Sequence, residues 1–223
     1  MYDPVEAQKV KEYYDLFLAS EPGKYSSLDE FKARYEPVMA FLSKLPVGMM
    51  ILDVGCGTGM AAERLKKFGK VYGVDISQES IKQAKNRLDD ARVCLAEEIA
   101  FPSDTFDVVV CTETLEHLLN PAKGIAEFNR LLCDGYLIIS TPNPWYWRKL
   151  LSKIYCYLIG RKPGTGQIVE HYLSPVKLRK LVQDGGFKII EHRTVYCRPS
   201  FISVISNMAG LYQICIAKKE GNL

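Results

Sequence analysis

A glycine-rich turn between an apolar run and a helical pattern constrains this chain more than any other feature. The segment ILDVGCGTGMAAERL reads as a buried strand, then Gly55, Gly57 and Gly59, and then the start of a helix. Glycines let a backbone approach a ligand closely, and amides at a helix start favour anionic or polar groups. We therefore expect a ligand-binding loop at the end of the first strand of an α/β unit.

A strand and helix alternation continues from this loop. The order is strand MMILDV, helix MAAERLKKF, strand KVYGVDI, helix SQESIKQAKNRL, strand ARVCL, strand FDVVVCT, helix AKGIAEFNRLL, turn CDG and strand YLIIST. Continuous apolar strands are typical of a parallel sheet that helices cover on both faces. The closing runs FKIIEHRTVY and LYQICIAKK follow helix PVKLRKLVQDGG with only a loop between them, which favours an antiparallel pair. The prediction is a doubly wound α/β fold with seven strands, mostly parallel, and an antiparallel C-terminal strand.

The length of 223 residues suits one α/β domain with additions at its ends. Residues 1–46 carry two amphipathic helical patterns that precede the glycine loop, and residues 47–141 form the core. An aromatic insertion occupies residues 142–174. Residues 175–223 hold the last helix and the antiparallel strand pair.

The composition of the chain limits which kinds of partner it is expected to bind. Apolar residues make up 48% of the chain and charged residues 25%, as in soluble globular proteins. The net charge of +3 is too mild for the long basic face of a general nucleic-acid binder. Scattered cysteines without a C-x-x-C pair, and an N-terminus without an apolar signal core, favour a cytoplasmic location. No run offers the roughly 20 apolar residues of a spanning helix.

Two aspartates accompany the loop. Asp53 precedes the first glycine by two residues, and Asp75 ends the next strand, 22 residues after Asp53. In a nucleotide-binding βαβ unit, an acidic group at about that distance reaches the ribose hydroxyls. The NAD pattern G-x-G-x-x-G/A fails, because Met60 stands at its sixth position and Gly59 comes one residue early. A nicotinamide oxidoreductase is therefore the least favoured nucleotide-binding enzyme.

The run D-V-G-C-G-T-G resembles motif I of class I S-adenosylmethionine-dependent methyltransferases. The run CLAEEIAFPSDTFDVVVCTETLEHLLNP looks like the next motif of the small-molecule type, which includes quinone-biosynthesis O-methyltransferases, and the likeness covers roughly residues 45–190. It implies a Rossmann-like fold and S-adenosylmethionine as cofactor, with the loop around the amino-acid part. The contacts that it implies are Asp53, Gly55, Cys56, Gly57, Gly59, Asp75, Ile76, Ala96, Glu97 and Thr112.

One position departs from the family. Leu95 stands where relatives carry an aspartate that contacts adenine, so the exocyclic amine is left to Glu97, Glu98 or a backbone carbonyl. Cys111 and Thr112 end the fourth strand, where open α/β sheets place ligands, and family geometry puts the reactive sulfonium near this point.

Acidic and imidazole groups follow the fourth strand. Glu113, Glu116 and His117 would share a face of a helical turn, and with His171 they are similar to the metal site of small-RNA 2′-O-methyltransferases. These ligand types suit Mg²⁺, Mn²⁺ or Zn²⁺, which would lower the pKa of a substrate hydroxyl. The same L-E-H segment also occurs in methyltransferases without metal. His117 or His171 is then a candidate general base.

Two segments are expected to cover the site. EYYDLFLAS with Tyr25 resembles the N-terminal lid of these enzymes, although helix packing explains its tyrosines equally well. The insertion WYWRKLLSKIYCYLI, residues 145–159, mixes aromatic and cationic side chains. The aromatic groups suit an apolar acceptor, such as a quinone precursor or lipid, and the cations suit an anionic group or a membrane surface. Core packing accounts for the same residues.

The resemblance predicts methylation of a small molecule, with oxygen as the favoured acceptor atom. A metal-assisted RNA 2′-O-methyltransferase is the first alternative. A module that binds the cofactor without catalysis is the second, and the intact loop and the long insertion argue against it.

Overall fold

The computed structural model describes residues 4–20, 28–144, 146, 171–195 and 210–221. Most of the aromatic insertion, residues 145 and 147–170, lies outside the described residues, and so does Tyr25. Among the described residues, no helix has the length and apolar character needed to cross a membrane.

Seven strands form one sheet in the order β3-β2-β1-β4-β5-β7-β6. They are β1 Met49–Val54, β2 Gly69–Asp75, β3 Asp90–Val93, β4 Phe106–Thr112, β5 Leu132–Pro142, β6 Phe187–Val195 and β7 Tyr212–Lys219. Strands β1 to β5 pair in parallel, and β7 runs antiparallel to both β5 and β6. The predicted mixed sheet with one antiparallel C-terminal strand is confirmed.

Helices cover both faces of this sheet, as predicted. Their bounds are α1 Pro4–Ser20, α2 Leu28–Leu42, α3 Ala62–Leu65, α4 Gln78–Ala84, α5 Pro121–Leu131 and α6 Pro175–Asp184, with a 3-10 turn at Leu115–His117. One core cluster joins α2, α3 and α4 to the sheet, and the other joins α5 and α6 to the opposite face. Because β1 and β4 bury side chains in both clusters, their sequences are continuously apolar.

Local sequence signals explain where several helices begin. The side chains of Ser77, Asn120 and Ser174 each accept a hydrogen bond from the backbone amide three residues later, at the starts of α4, α5 and α6. Pro121 and Pro175 occupy the first turn of their helices, where a missing amide is harmless.

The predicted turn CDG is wrong. Cys133, Asp134 and Gly135 belong to β5, where the pairing with β4 shifts register and Asp134 adopts a φ of 47°. A Cβ on Gly135 would lie 2.1 Å from the carbonyl oxygen of Asp107. The small, flexible residues thus allow an irregularity within a strand rather than a break between two elements.

Candidate active site

The glycine loop leaves β1 in a left-handed backbone conformation that favours glycine. The φ angles of Gly55, Gly57 and Gly59 are 71°, 52° and 77°. At Gly55 there is also no room for a side chain, since a Cβ would lie 2.1 Å from Oγ1 of Thr114. The loop therefore needs these glycines to fold beside the end of β4.

The amides of this loop hold the loop itself. Those of Gly55 and Cys56 donate to the carbonyl oxygen of Val74, and that of Gly59 donates to the carbonyl oxygen of Cys56. The amide of Gly57 donates to the Asp75 carboxylate at 2.9 Å. These four loop amides therefore bond within the protein, and the glycines still let the backbone approach a ligand closely.

Asp75 lies at the carboxyl end of β2, as predicted, and faces the site. Its Oδ2 accepts from Gly57, and its Oδ1 accepts from the amide of Ser77 at 2.9 Å. Burial raises the pKa of Asp75, and the two amide hydrogen bonds oppose that shift. Each oxygen keeps a second lone pair that can accept a hydroxyl proton.

Asp53, in β1, is 1% exposed. Among the described residues, neither of its carboxylate oxygens has a hydrogen-bond partner. Burial and then the charge of Asp75 raise the pKa of Asp53 to about 7. A buried carboxylate without a donor is costly, which fits a group that waits for a cationic or hydrogen-bonding ligand.

Two clefts meet at the glycine loop. The first cleft, of about 820 Å³ with open solvent included, is lined by Val10, Tyr14, Val54, Gly55, Gly57, Val74, Asp75, Ile76, Ser80, Cys94, Leu95, Ala96, Glu97, Glu113, Thr114, His117, Leu118 and Leu119. The second, of about 620 Å³, is lined by Arg34, Tyr35, Gly55, Cys56, Gly57, Thr58, Met60, Ala61, Thr112, Glu113 and Thr114. Both clefts share Gly55, Gly57, Glu113 and Thr114, so the two spaces meet at this point.

The first cleft contains Leu95 and Ala96 beside Glu97. Glu97 is 2% exposed, and its carboxylate accepts from the amide of Asn120 at 3.0 Å. Glu98 is on the surface in an ion pair with Lys123. The acid of Glu97 therefore anchors the chain before α5, and Glu98 points to a surface partner, which favours a backbone carbonyl among the three alternatives for the exocyclic amine.

The carboxyl end of β4 lines the second cleft. The hydroxyl groups of Thr112 and Tyr35 are 2.7 Å apart. Burial first, and then the charge of Asp53, raise the pKa of Tyr35, so its phenol stays neutral at ordinary pH. Glu113 follows with a φ of 52°, a strained conformation of the kind that clusters at functional sites.

The four-residue metal site predicted from the sequence is not assembled. Within the described ranges, no three His, Cys, Asp or Glu side chains are placed to hold an ion. Glu113 accepts from the hydroxyl of Ser140, and Nε2 of His171 lies 3.0 Å from the carbonyl oxygen of Leu118. The residues at 115–117 form a 3-10 turn rather than a helix face, so the spacing rule that brought the groups together does not hold.

A backbone hydrogen bond nevertheless joins the two segments that carry the candidate bases. The amide of His171 donates to the carbonyl oxygen of Glu116 at 2.7 Å. His117 lines the first cleft, and its Nε2 lies 3.7 Å from Oε1 of Glu116. The segment that begins at His171 is thereby fixed to the turn that carries His117.

Sequence reasoning missed Arg34 and Tyr35 of α2 and Thr114 after β4. Arg34 lines the second cleft with its guanidinium 5.3 Å from the ring centroid of Tyr212. The only sequence signal was a cation on an amphipathic helix directly before β1, which is common on surfaces. Val10 and Tyr14 of α1 line the first cleft, where the N-terminal lid was expected.

Comparisons with known proteins agree with this geometry. The family model described as "Methyltransferase domain" matches residues 28–192. The bovine mitochondrial ubiquinone biosynthesis O-methyltransferase is 35% identical over 155 residues, which are 64% of this chain and 42% of that protein. The ubiquinone biosynthesis O-methyltransferase of Thiobacillus denitrificans is 30% identical over 65% of this chain and 66% of its own length. The chain thus spans less than half of the bovine relative.

Solved structures share the fold. Magnesium protoporphyrin IX methyltransferase from Synechocystis, solved with bound SAH, has a TM-score of 0.67 at 18% identity, covering 96% of this chain and 100% of that one. The [4+2]-cyclase SpnF has a TM-score of 0.67 at 20% identity and covers 97% of each chain. A cyclase and a methyltransferase on one fold show that fold alone does not fix an activity. On the family match across most of its length, this chain belongs to the methyltransferase domain family, as a class I S-adenosylmethionine-dependent member.

Proposed function

We propose that this chain transfers the methyl group of S-adenosylmethionine to a hydroxyl oxygen of a small aromatic molecule. The observation that carries the proposal is the junction of the two clefts at Gly55, Gly57, Glu113 and Thr114, with His117 in the first cleft. A nucleoside space with a ribose acid lies on one side of this junction. A second space with its own cation and hydroxyl groups lies on the other.

The residues present fit the cofactor. Asp75 has lone pairs left for the ribose hydroxyls, and Leu95 and Ala96 offer contacts for the adenine. Among the described residues Asp53 has no hydrogen-bond partner, so its carboxylate suits the ammonium group of the cofactor's amino-acid part. The Arg34 guanidinium suits the carboxylate of that same part. The cofactor supplies a methyl group that is already activated by the sulfonium. The protein therefore mainly has to align the acceptor and exclude water.

Of the two candidate bases, His117 lines the first cleft, and His171 is the one whose tautomer the structure defines. A carbonyl oxygen can only accept, so the contact of Nε2 with Leu118 makes Nε2 the protonated nitrogen. This tautomer leaves the lone pair on Nδ1, which can take the proton of an acceptor hydroxyl. The carbonyl oxygen of Leu118 thus fixes the tautomer of His171, and no carboxylate partner is required for this.

The acceptor that we propose is a phenolic quinone precursor with an apolar tail. The curated relatives are named for O-methylation in ubiquinone biosynthesis, and the sequence of residues 145–159 contains five aromatic residues. A metal-assisted reaction on RNA is not favoured, because the described residues assemble no ion site. The apolar acceptor and the cytoplasmic location both stay predictions.

An assay with S-adenosylmethionine labelled in its methyl group tests the proposal. The acceptors are dihydroxybenzoates with and without a short prenyl tail, an aromatic amine and a small RNA, and mass spectrometry locates the label. We expect label on a phenolic oxygen, with higher kcat/KM for the tailed acceptor. Label on RNA or on the amine alone would contradict the proposal.

The histidine variants separate the base from the binding residues. His171→Gln is expected to lower kcat about 10²-fold or more while the KM for S-adenosylmethionine stays within about threefold, since general-base catalysis acts in the transition state. His192→Gln is the matched control, because His192 is half-buried on β6 and bonds to Gln213 rather than to the clefts. Equal losses in both variants would assign the effect to folding.

A further inference from the structure

Helix α1 lies over the first cleft, and its described side chains contribute little apolar contact. Among its described side chains, residues 5–16, only Val10 is buried, with 4% exposure. Val10 and Tyr14 line the cleft, and the Tyr14 ring meets the His117 ring edge-on at 6.3 Å between centroids. Since the described part of α1 buries so little apolar surface, we expect its polar contacts to contribute much of what holds it in place.

One of these polar contacts joins Asp15 to Ser77. The hydroxyl of Ser77 donates to Oδ1 of Asp15 at 2.6 Å, and the amide of Glu79 lies 3.4 Å from the same oxygen. Ser77 is fully buried, and its hydroxyl also accepts from the amide of Ser80 at 3.1 Å. The hydroxyl of Ser77 is therefore fixed in direction and aims its proton at α1.

Ser77 is also bonded to the ribose acid. Its amide donates to Oδ1 of Asp75, and Oδ2 of Asp75 accepts from the amide of Gly57. A continuous path of hydrogen bonds thus runs from the glycine loop through Asp75 and Ser77 to Asp15. The helix that covers the cleft and the carboxylate that faces the ribose hydroxyls depend on one serine.

We infer that Asp15 is a positioning residue for the cofactor: through Ser77 it holds α1, with Val10 and Tyr14, over the adenosine part and slows the release of the cofactor. The inference rests on the cofactor class alone and needs no particular acceptor. Asp15 acts through Ser77 and touches no reacting atom. Its effect therefore belongs to the lifetime of the bound cofactor and not to the chemical step.

Rapid-mixing measurements of S-adenosylhomocysteine dissociation, without any acceptor, test this role. Asp15→Ala removes the acceptor oxygen, and we expect about tenfold faster dissociation, as for the loss of one hydrogen bond to a charged group. Asp15→Asn keeps an acceptor oxygen and should stay within about threefold of the wild type. The matched control is Glu12→Ala on the same helix, whose carboxylate contacts Gln8, and it should change the rate less than twofold.

A second variant excludes a general loss of helix structure. Ser77→Ala should also speed dissociation, and the double variant Asp15→Ala/Ser77→Ala should be no faster than the faster single variant, because both remove one interaction. Hydrogen exchange should show that the cofactor protects α1 amides in the wild type and in Asp15→Asn but not in Asp15→Ala. Additive effects of the two substitutions, or an unchanged dissociation rate in folded Asp15→Ala, would overturn the inference. A chain that binds the cofactor in this way but methylates no phenol would refute only the proposed function.

Discussion

The carboxyl group of Asp53 lies in the core, and its ionisation costs free energy when no ligand is bound. Its pKa in the folded protein, about 7, is above the ordinary value of 3.8 because of burial and the charge of Asp75. The folded state therefore holds this proton more tightly than the unfolded state does. The resulting stability is fully present below about pH 4 and is lost as the pH rises through about 7.

Asp53→Asn should accordingly stabilise the cofactor-free protein at pH 8, by about 1–3 kcal/mol, which corresponds to roughly 2–10 °C in Tm. Thermal unfolding at pH 5 and pH 8 measures this, and the advantage of the variant should shrink at pH 5. The exposed pair of Asp90 with Arg92 offers the control Asp90→Asn, which should show no such pH-dependent gain. A gain for Asp53→Asn that is equal at both pH values would contradict the raised pKa.

Two glycines with positive φ allow the cost of backbone strain to be measured separately from the cost of a steric clash. Gly48 has a φ of 89° with open space around its Cβ position, whereas at Gly55 a Cβ would strike Thr114. Gly48→Ala should cost about 1–2 kcal/mol in unfolding free energy and leave cofactor affinity unchanged. Gly55→Ala should cost about 3 kcal/mol or more and weaken cofactor binding at least about tenfold. Calorimetry on both variants checks this, and equal affinities would show that the loop does not face the ligand.

The residues of the loop were predictable and those after β4 were not. Asp53, Asp75 and the three glycines follow from the order of strand, turn and helix, which a local pattern encodes. The metal prediction used helical spacing for Glu113, Glu116 and His117. Glu113 has a positive φ, and the 3-10 turn that follows contacts β5 and α5. A short stretch of sequence does not reveal such distant contacts.

Among the elements, β7 depends on one buried polar side chain. Gln213 is fully buried, and its amide donates to Oγ1 of Thr141 and to the carbonyl oxygen of Leu173. Its Oε1 lies 3.1 Å from Nε2 of His192. This residue therefore links β5, β6 and the segment that leads from His171 into α6.

Gln213→Ala should lower the unfolding free energy by about 2–4 kcal/mol, because it leaves buried partners unpaired. Denaturant titration measures the loss, and Gln83→Ala on the exposed side of α4 is the control, expected within about 0.5 kcal/mol. A Gln213→Ala variant as stable as the control would show that the hydrogen bonds of Gln213 do not stabilise the C-terminal strands.

Element types were predicted better than element ends. Apolar runs identified all seven strands. Burial on both faces leaves a strong signal in the inner strands, whereas the edge strands β3 and β6 are partly exposed. The helix predicted from Met60 to Phe68 is reduced to Ala62–Leu65, because the carbonyl oxygen of Phe68 pairs with Gly48 and Met49 to start the β1–β2 contact. Long-range pairing of this kind overrides local helix preference.

For the molecule as a whole, cofactor binding should appear as stability. A ligand that binds only the folded state at a hundredfold excess over its Kd adds about 2.7 kcal/mol. We expect S-adenosylhomocysteine at that excess to raise Tm by about 5–10 °C. Differential scanning fluorimetry measures the shift in Tm. Adenosine at the same concentration is the control that tests binding of the nucleoside part alone. No shift with S-adenosylhomocysteine would contradict the assignment of that cleft.

The most direct measurement is calorimetric titration of the purified chain with S-adenosylmethionine and, separately, with NADH, repeated for Asp75→Ala and for the control Asp90→Ala. The geometry predicts micromolar binding of S-adenosylmethionine alone, at least about tenfold weaker in Asp75→Ala and unchanged in Asp90→Ala. Binding of NADH alone, or equal affinity of the two variants for S-adenosylmethionine, would contradict the central claim that Asp75 and the glycine loop hold this cofactor.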